Sequence, residues 1–219
     1  CHSDLHVMNG SLPMPCPIIP GHEGAGVVES VGEGVTSVKP GDAVIPIWRA
    51  SCGRCVYCLN GRPALCDMGT AMRFTGLMPD GGTRFRARSG ESIRHYAGVS
   101  TFASLSTMPE AAVVKLEGEF PLWKAALIGC GVITGIGAVL EAGKPRAGDA
   151  VAVFGGGGIG LNASQGARMA AAGKIIGVDA NPGKEAKARE LGATHFVDSP
   201  SCDAVAAIRE ITGGAGAEV

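Results

Sequence analysis

Six residues constrain this chain more than any others: Gly155-Gly156-Gly157-Gly158-Ile159-Gly160. They lie between the apolar run 150–154 and a segment, 158–172, with the apolar spacing of a helix. A G-x-G-x-x-G pattern in that setting, here Gly155, Gly157 and Gly160, makes a strand turn sharply into a helix. Strand and helix then alternate. A second strand is expected at 174–179, a second helix at 183–191, a third strand at 195–198 and a third helix at 202–212. Such alternation predicts βαβ units on a parallel sheet.

The glycine loop also carries chemistry. Its missing side chains let backbone N–H groups, including that of Gly158, approach a pyrophosphate at the N-terminus of the following helix. Asp179 lies 19 residues beyond Gly160, at the end of the second strand. An acid there binds ribose hydroxyls and repels the extra phosphate of NADP. Ala180, Asn181 and Pro182 follow without an arginine, so NAD is the expected dinucleotide. An ordinary turn acid is the duller alternative for Asp179.

The first half differs in texture. Residues 26–31 and 42–47 are short β-branched runs punctuated by Gly32, Gly34, Pro40 and Gly41. Residues 48–90 read as loop and 93–116 as a return to short strands, while Pro121 to Leu140 is apolar, rich in alanine and glycine, and expected to be helical. The fold class is thus α/β, with a β-rich domain at 1–131 and a doubly wound parallel sheet, incomplete at its end, at 132–219. With 18% charged residues, a net charge of −1 and no basic block, neither nucleic acid nor a membrane is the expected partner. No apolar run is expected to span a bilayer. The chain opens on Cys1 and stops at Glu218-Val219 as if entering a strand, and is read as a fragment.

Eight cysteines invite either disulfides or metals. Cys52, Cys55, Cys58 and Cys66 form C-x2-C-x2-C-x7-C within a lobe spanning about 48–70. Two-residue gaps let thiolates converge on one ion, and four of them close a tetrahedral shell, which makes a zinc there structural. An iron–sulfur cluster also uses four cysteines, but the bacterial run spaces its last one differently and follows it with proline; here Asp67 follows. Two disulfides, or four unrelated cysteines, remain the bland reading. A cytoplasmic, reducing location suits the metal.

Three further features stand in a fixed order: Cys1-His2-Ser3-Asp4-Leu5-His6, Gly21-His22-Glu23-Gly24-Ala25-Gly26 with Gly32 and Val35 beyond, and Gly129-Cys130-Gly131. Together with the four-cysteine lobe and the glycine loop, they make the whole chain resemble the zinc-containing medium-chain alcohol dehydrogenases. The β-rich part then resembles that family's GroES-like domain, and the sheet its Rossmann domain. What the resemblance implies is two zinc ions per subunit, NAD, and hydride transfer between an alcohol or aldehyde and the dinucleotide. The full-length protein is then expected as a homodimer or homotetramer.

The resemblance assigns roles residue by residue. Cys1, His22 and Cys130 hold a catalytic zinc and leave a fourth position for water or substrate, as catalytic zinc requires. Asp4 orients the His22 imidazole, and Glu23 lies behind the metal. Ser3 and His6 form a proton relay through the cofactor ribose, and a histidine suits its exit end because imidazoles generally titrate near neutrality. His2 lies near the pyrophosphate, Lys184 on the ribose, and Ile159 and Thr134 near the nicotinamide. Taken singly, each has a plainer alternative: a surface histidine for His6, a small buried hydrophobe for Cys130, a helix-core threonine for Thr134.

Within the family, Met78-Pro79-Asp80-Gly81 and Gly98-Val99-Ser100-Thr101-Phe102 resemble the glutathione-dependent formaldehyde dehydrogenase branch. Asp67-Met68-Gly69-Thr70 lacks that branch's arginine, and Met8, Asn9, Gly10 and Leu12 replace its acids. A plain alcohol is therefore expected rather than a thiol adduct. A non-catalytic zinc and nucleotide-binding protein is the alternative from another class, which would have no need of Ser3 or His6.

Overall fold

A computed structural model describes residues 1–219, which fall into two compact units, 1–130 and 131–219.

The first unit holds a helix, α1 (His2–Met8), and six short strands. β1 (Ile18–Ile19) pairs in parallel with β5 (Ser92–His95), which also pairs antiparallel with β4 (Phe85–Arg86). β2 (Gly26–Val27), β3 (Ala43–Pro46) and β6 (Val113–Lys115) form an antiparallel sheet in the order β2-β3-β6. The expected strands over 26–31 and 42–47 are thus shorter than their β-branched runs. Glycines and prolines cut the hydrogen-bond ladders, and residues such as Val28 bond in isolated pairs with the loop around Gly41 and Asp42. Glu110 accepts the Thr36 and Ser37 N–H groups with one carboxylate oxygen, at 2.9 and 2.7 Å, which ties the 32–37 loop to the end of β6.

Residues 48–90 are not all loop. Two helices, α2 (Val56–Leu59) and α3 (Asp67–Thr75), stand there with a 3-10 turn at Pro63–Leu65. α3 starts with Asp67 in its first turn, which suits the helix dipole, and ends at left-handed Gly76. Its buried Met72 joins Ala50, Met78, Val99 and Ala112 in the core of this unit, with Trp48, Met68 and Met108 against them. That core, rather than helix propensity in a segment with Gly69 and Thr70, supports α3.

From 122 on, the expected helix is broken in character. α4 (Leu122–Ala125) is followed by a π-helical turn at Ile128–Val132, then α5 (Ile133–Gly137) and a second π-helical stretch at Ala138–Gly143. By length and composition alone, 122–143 is one apolar stretch long enough to cross a membrane, contrary to the expectation of none. A soluble core helix meets the same criterion. Gly135 packs so closely on Ile159 and Asn162 that a Cβ would collide with them.

In the second unit, β7 (Ala150–Phe154), β8 (Lys174–Asp179) and β9 (His195–Asp198) form a parallel sheet in the order β7-β8-β9. Strand residues alternate between two apolar layers. Val151, Val153 and Ile175 face α6 (Gly158–Met169) and α7 (Glu185–Glu190), while Ala152, Ile176, Val178 and Val197 face α8 (Ala204–Ile211). This is the doubly wound α/β arrangement. All three helices fall within or near their expected spans; a 3-10 turn at Pro182–Lys184 precedes α7, and Asp203 caps α8 by accepting from Val205 and Ala206 N–H.

Candidate metal centres and nucleotide loop

Cys52, Cys55, Cys58 and Cys66 offer four sulfurs within 4.8 Å of one another. All are free thiols, and Cys55 Sγ lies 3.6 Å from Cys58 Sγ. That is far beyond a disulfide and close to the separation of about 3.7 Å that tetrahedral zinc with Zn–S bonds of about 2.3 Å demands. Backbone N–H groups of Cys52 and Cys55 point at Cys66 Sγ and Cys52 Sγ, at 3.2 and 3.3 Å. The charges conflict without a cation. N–H groups of Cys58 and Asp67 pull the Cys55 thiol down to about 6, while burial and the neighbouring Cys55 push Cys58 up to about 11. A divalent ion reconciles four thiolates at one point, and the donor set fits zinc with no vacant position.

A second cluster is built from distant parts of the chain. Cys1 precedes α1, His22 follows Gly21 in the loop after β1, and Cys130 lies inside the π-helical turn; their ligand atoms also lie within 4.8 Å of one another. Gly21 is required beside the ligand: its φ is +94°, and a Cβ would strike the Phe102 backbone. The loop is held from both sides of His22. Thr101 N–H donates to Gly21 O at 2.9 Å, and Thr101 Oγ1 donates to Glu23 O at 2.7 Å.

Asp4, buried on α1, orients the ligand. Its Oδ1 accepts the Gly21 N–H at 2.9 Å, and its Oδ2 lies 2.9 Å from His22 Nδ1. Neither Oδ2 nor Nδ1 has another hydrogen-bond partner. With Nδ1 engaged there, Nε2 is the nitrogen left for a metal. Burial disfavours a proton on His22, yet Asp4 and Cys130 outweigh it and raise the imidazole to about 9. Three donors, two soft and one borderline, fit zinc with one position open. The walls are aromatic: Tyr96 and Trp48 meet the His22 ring edge-on at 5.6 and 6.1 Å.

Other expected residues are placed less tightly. Ser3 Oγ is 3.7 Å from Cys1 Sγ, and His6 shares an exposed helix face with His2, their rings 4.9 Å apart. In the second unit, Gly155 N–H bonds Val178 O at 2.8 Å, and Gly157 precedes α6, whose first residue is Gly158. Gly160 packs against Gly155 O so closely that no Cβ fits. Asp179 accepts from Gly156 N–H at 2.6 Å, Lys184 Nζ at 2.9 Å and Asn181 N–H at 2.8 Å. Lys184 first, then the Asn181 and Gly156 amides, hold its carboxyl down to about 2. Lys184 thus touches Asp179 directly, a pairing that spacing did not reveal. Ile159 is exposed beside the loop, and Thr134 is exposed on α5. Sequence reasoning missed the hold of Thr101 on the His22 loop; the glycine at 21 was the available signal that a backbone packs closely there.

A β-rich module with two clustered donor sets, followed by a parallel sheet with a glycine-rich turn, defines a metal- and nucleotide-binding α/β protein. Residues 1–118 match the alcohol dehydrogenase GroES-like domain, and residues 158–219 the zinc-binding dehydrogenase family. The chain is 48% identical over 206 residues to the S-(hydroxymethyl)glutathione dehydrogenase of Paracoccus denitrificans, covering 94% of this chain and 55% of that protein. Among solved structures, an alcohol dehydrogenase zinc-binding domain protein from Burkholderia ambifaria superposes with a TM-score of 0.93 at 42% identity, over 99% of this chain and 58% of its own. Benzyl alcohol dehydrogenase from Acinetobacter calcoaceticus gives 0.87 at 34% identity, over 99% and 58%. The chain spans little more than half the length of these relatives. It belongs to the zinc-containing medium-chain alcohol dehydrogenase family.

Proposed function

We propose that this chain provides the metal-holding and dinucleotide-binding parts of a cytoplasmic, NAD-linked alcohol dehydrogenase that works on a small alcohol or aldehyde as a homodimer or homotetramer. The observation that carries this reading is the convergence of Cys1, His22 and Cys130, with Asp4 behind the imidazole. Three donors rather than four leave room for a reacting oxygen, whereas the Cys52–Cys66 lobe is closed. Zinc bound there supplies Lewis acidity toward an alcohol oxygen, and NAD supplies the hydride acceptor.

The residues of the chain do the rest. Cys1, His22 and Cys130 fix the metal; Asp4 holds His22 in one tautomer and Glu23 closes the rear of the centre. Ser3 takes up the hydroxyl proton, and His6, exposed one turn further along α1, releases it to water. Trp48 and Tyr96 exclude water beside His22. Gly155, Gly157, Gly158 and Gly160 leave N–H groups for the pyrophosphate, with His2 toward it, while Asp179 and Lys184 serve the ribose and Ile159 and Thr134 the nicotinamide.

The resemblance to the Paracoccus protein supports a second reading, oxidation of a hydroxymethyl thiol adduct. Both are tested by following NADH formation by the full-length, zinc-replete protein with neutral alcohols and with S-(hydroxymethyl)glutathione. Turnover of either, reduced ~100-fold by Ser3→Ala at unchanged metal content, is the expected result. No NAD reduction with any of them would sink the reading.

A further inference from the structure

Two arginines share one aromatic ring in the first unit. The Arg49 guanidinium carbon lies 5.0 Å from the Trp48 ring centroid, and that of Arg73, on α3, lies 5.5 Å from it. Arg73 also sits 5.4 Å from the Phe74 ring. The other edge of this cluster is the metal centre, since Trp48 meets the His22 ring at 6.1 Å. One indole therefore separates two guanidiniums from a metal ligand.

Within residues 1–219 no acid pairs with either guanidinium. The side-chain ion pairs of these residues use His22, Arg84, Lys115, Lys184, Lys187 and Arg189, and neither Arg49 nor Arg73. Arg49 reaches only the Thr70 hydroxyl, at 3.5 Å. Arg73 makes no hydrogen bond at all. Both are half-buried, and the two cations repel one another; only the Cys66 thiolate favours Arg49. Stacking on an indole orients a guanidinium's face and leaves its N–H edge free. Two such forks with idle donors match a carboxylate, which takes up to four hydrogen bonds and cancels the repulsion.

We propose that Arg49, Arg73 and Thr70 form a carboxylate-binding subsite beside the metal pocket, so that the preferred substrates are alcohols or aldehydes bearing an anionic group. This rests on the dehydrogenase reading above and names its substrate class. The anionic group belongs either to the alcohol itself, as in 4-(hydroxymethyl)benzoate, or to the thiol half of an adduct.

The test uses the full-length, zinc-loaded enzyme and two matched pairs: 4-(hydroxymethyl)benzoate against benzyl alcohol, and S-(hydroxymethyl)glutathione against the adduct of neutral 2-mercaptoethanol. In the wild type, kcat/KM favours the anionic member of at least one pair. Arg73→Gln and Arg49→Gln each lower that preference about tenfold, mainly through KM, with Arg73→Lys in between. The pair that responds identifies the source of the carboxylate. Binding is read separately from turnover through Trp48, as the part of the tryptophan fluorescence that Trp48→Phe removes. Benzoate quenches its fluorescence, benzamide does not, and Arg49→Gln/Arg73→Gln abolishes the difference. Equal preference in wild type and variants, together with no benzoate quenching, overturns the subsite, and Arg49 is then a counter-charge for the thiolate lobe. Benzoate quenching without turnover of any alcohol supports the subsite and overturns the dehydrogenase reading instead.

Discussion

The two donor clusters of the first unit are close in size and opposite in construction. The four cysteines of the lobe span 15 positions, counted from Cys52 to Cys66 inclusive, and bind their sulfurs to their own backbone N–H groups. The other centre gathers Cys1, His22 and Cys130 from a helix start, a loop and a π-helical turn. The first is nearly a local structure, whose ion substitutes for a core. The second is a tertiary structure first and a metal site afterwards. Its imidazole is buried, its carboxylate is aimed and its loop is buttressed by Thr101. The difference teaches that a metal which folds its surroundings takes all the ligands it can, whereas a metal meant to react is held by a frame that would stand without it.

The comparison breaks most decisively at the lobe. Cys66→Ser should lower metal content by one ion per chain and unfold residues 52–66. Structural zinc contributes on the order of 10 kcal/mol in small zinc domains, so a large fall in melting temperature is expected by calorimetry. A melting curve indistinguishable from the wild type would mean that the lobe folds without its ion. At the other centre, His22→Ala should also cost one metal ion but leave far-ultraviolet circular dichroism intact, and turnover by the full-length enzyme should fall ~1000-fold or more. Loss of the fold in that variant would erase the distinction drawn above.

Smaller changes sharpen the contrast. Asp4→Asn keeps the shape and the Gly21 contact at Oδ1 but weakens the grip on His22 Nδ1. Zinc affinity, measured by chelator competition, should drop ~10- to 100-fold at this centre only. Thr101→Val removes the bond to Glu23 O, and a fewfold drop in zinc affinity is expected with little change in melting. The smallest effect belongs to the second unit, where no metal is needed. Asp179 has its carboxyl held at about 2, below the ordinary 3.8, by Lys184 and two backbone amides. A lowered carboxylate contributes stability above its ordinary value and loses it as the pH falls through the folded one. The stability difference between wild type and Asp179→Asn should therefore be flat above pH 4 and vanish toward pH 2. A difference that persists at pH 2 would remove the charge from the explanation.

Much of this arrangement was legible in advance, and the reasons differ by element. The strand–glycine–helix succession at 150–172 and the cysteine spacing at 52–66 are local patterns: turn geometry and ligand reach act over a few residues, so order along the chain suffices. The α3 helix was invisible because Gly69 and Thr70 spoil its propensity, and the Met72 core that supports it comes from residues as far away as Val99 and Ala112. The truncated β2 and β3 strands follow the same logic, since a β-branched run pairs only where a partner strand is present. Of the reactive centre, the residue types were apparent through a family resemblance, but no spacing rule joins positions 1, 22 and 130.

The sequence by itself determined the parallel-sheet module, the closed four-thiolate lobe and the identity of the acid that follows the second strand, because each is written in contiguous residues whose backbone preferences and reach are short-ranged. Only the tertiary structure decided that Thr101 holds the His22 loop, that Lys184 and Gly156 clasp Asp179, and that Arg49 and Arg73 share the ring of Trp48. Those contacts depend on how loops close over a common core, and burial energy, being non-directional, leaves no mark in the local pattern from which they could be read.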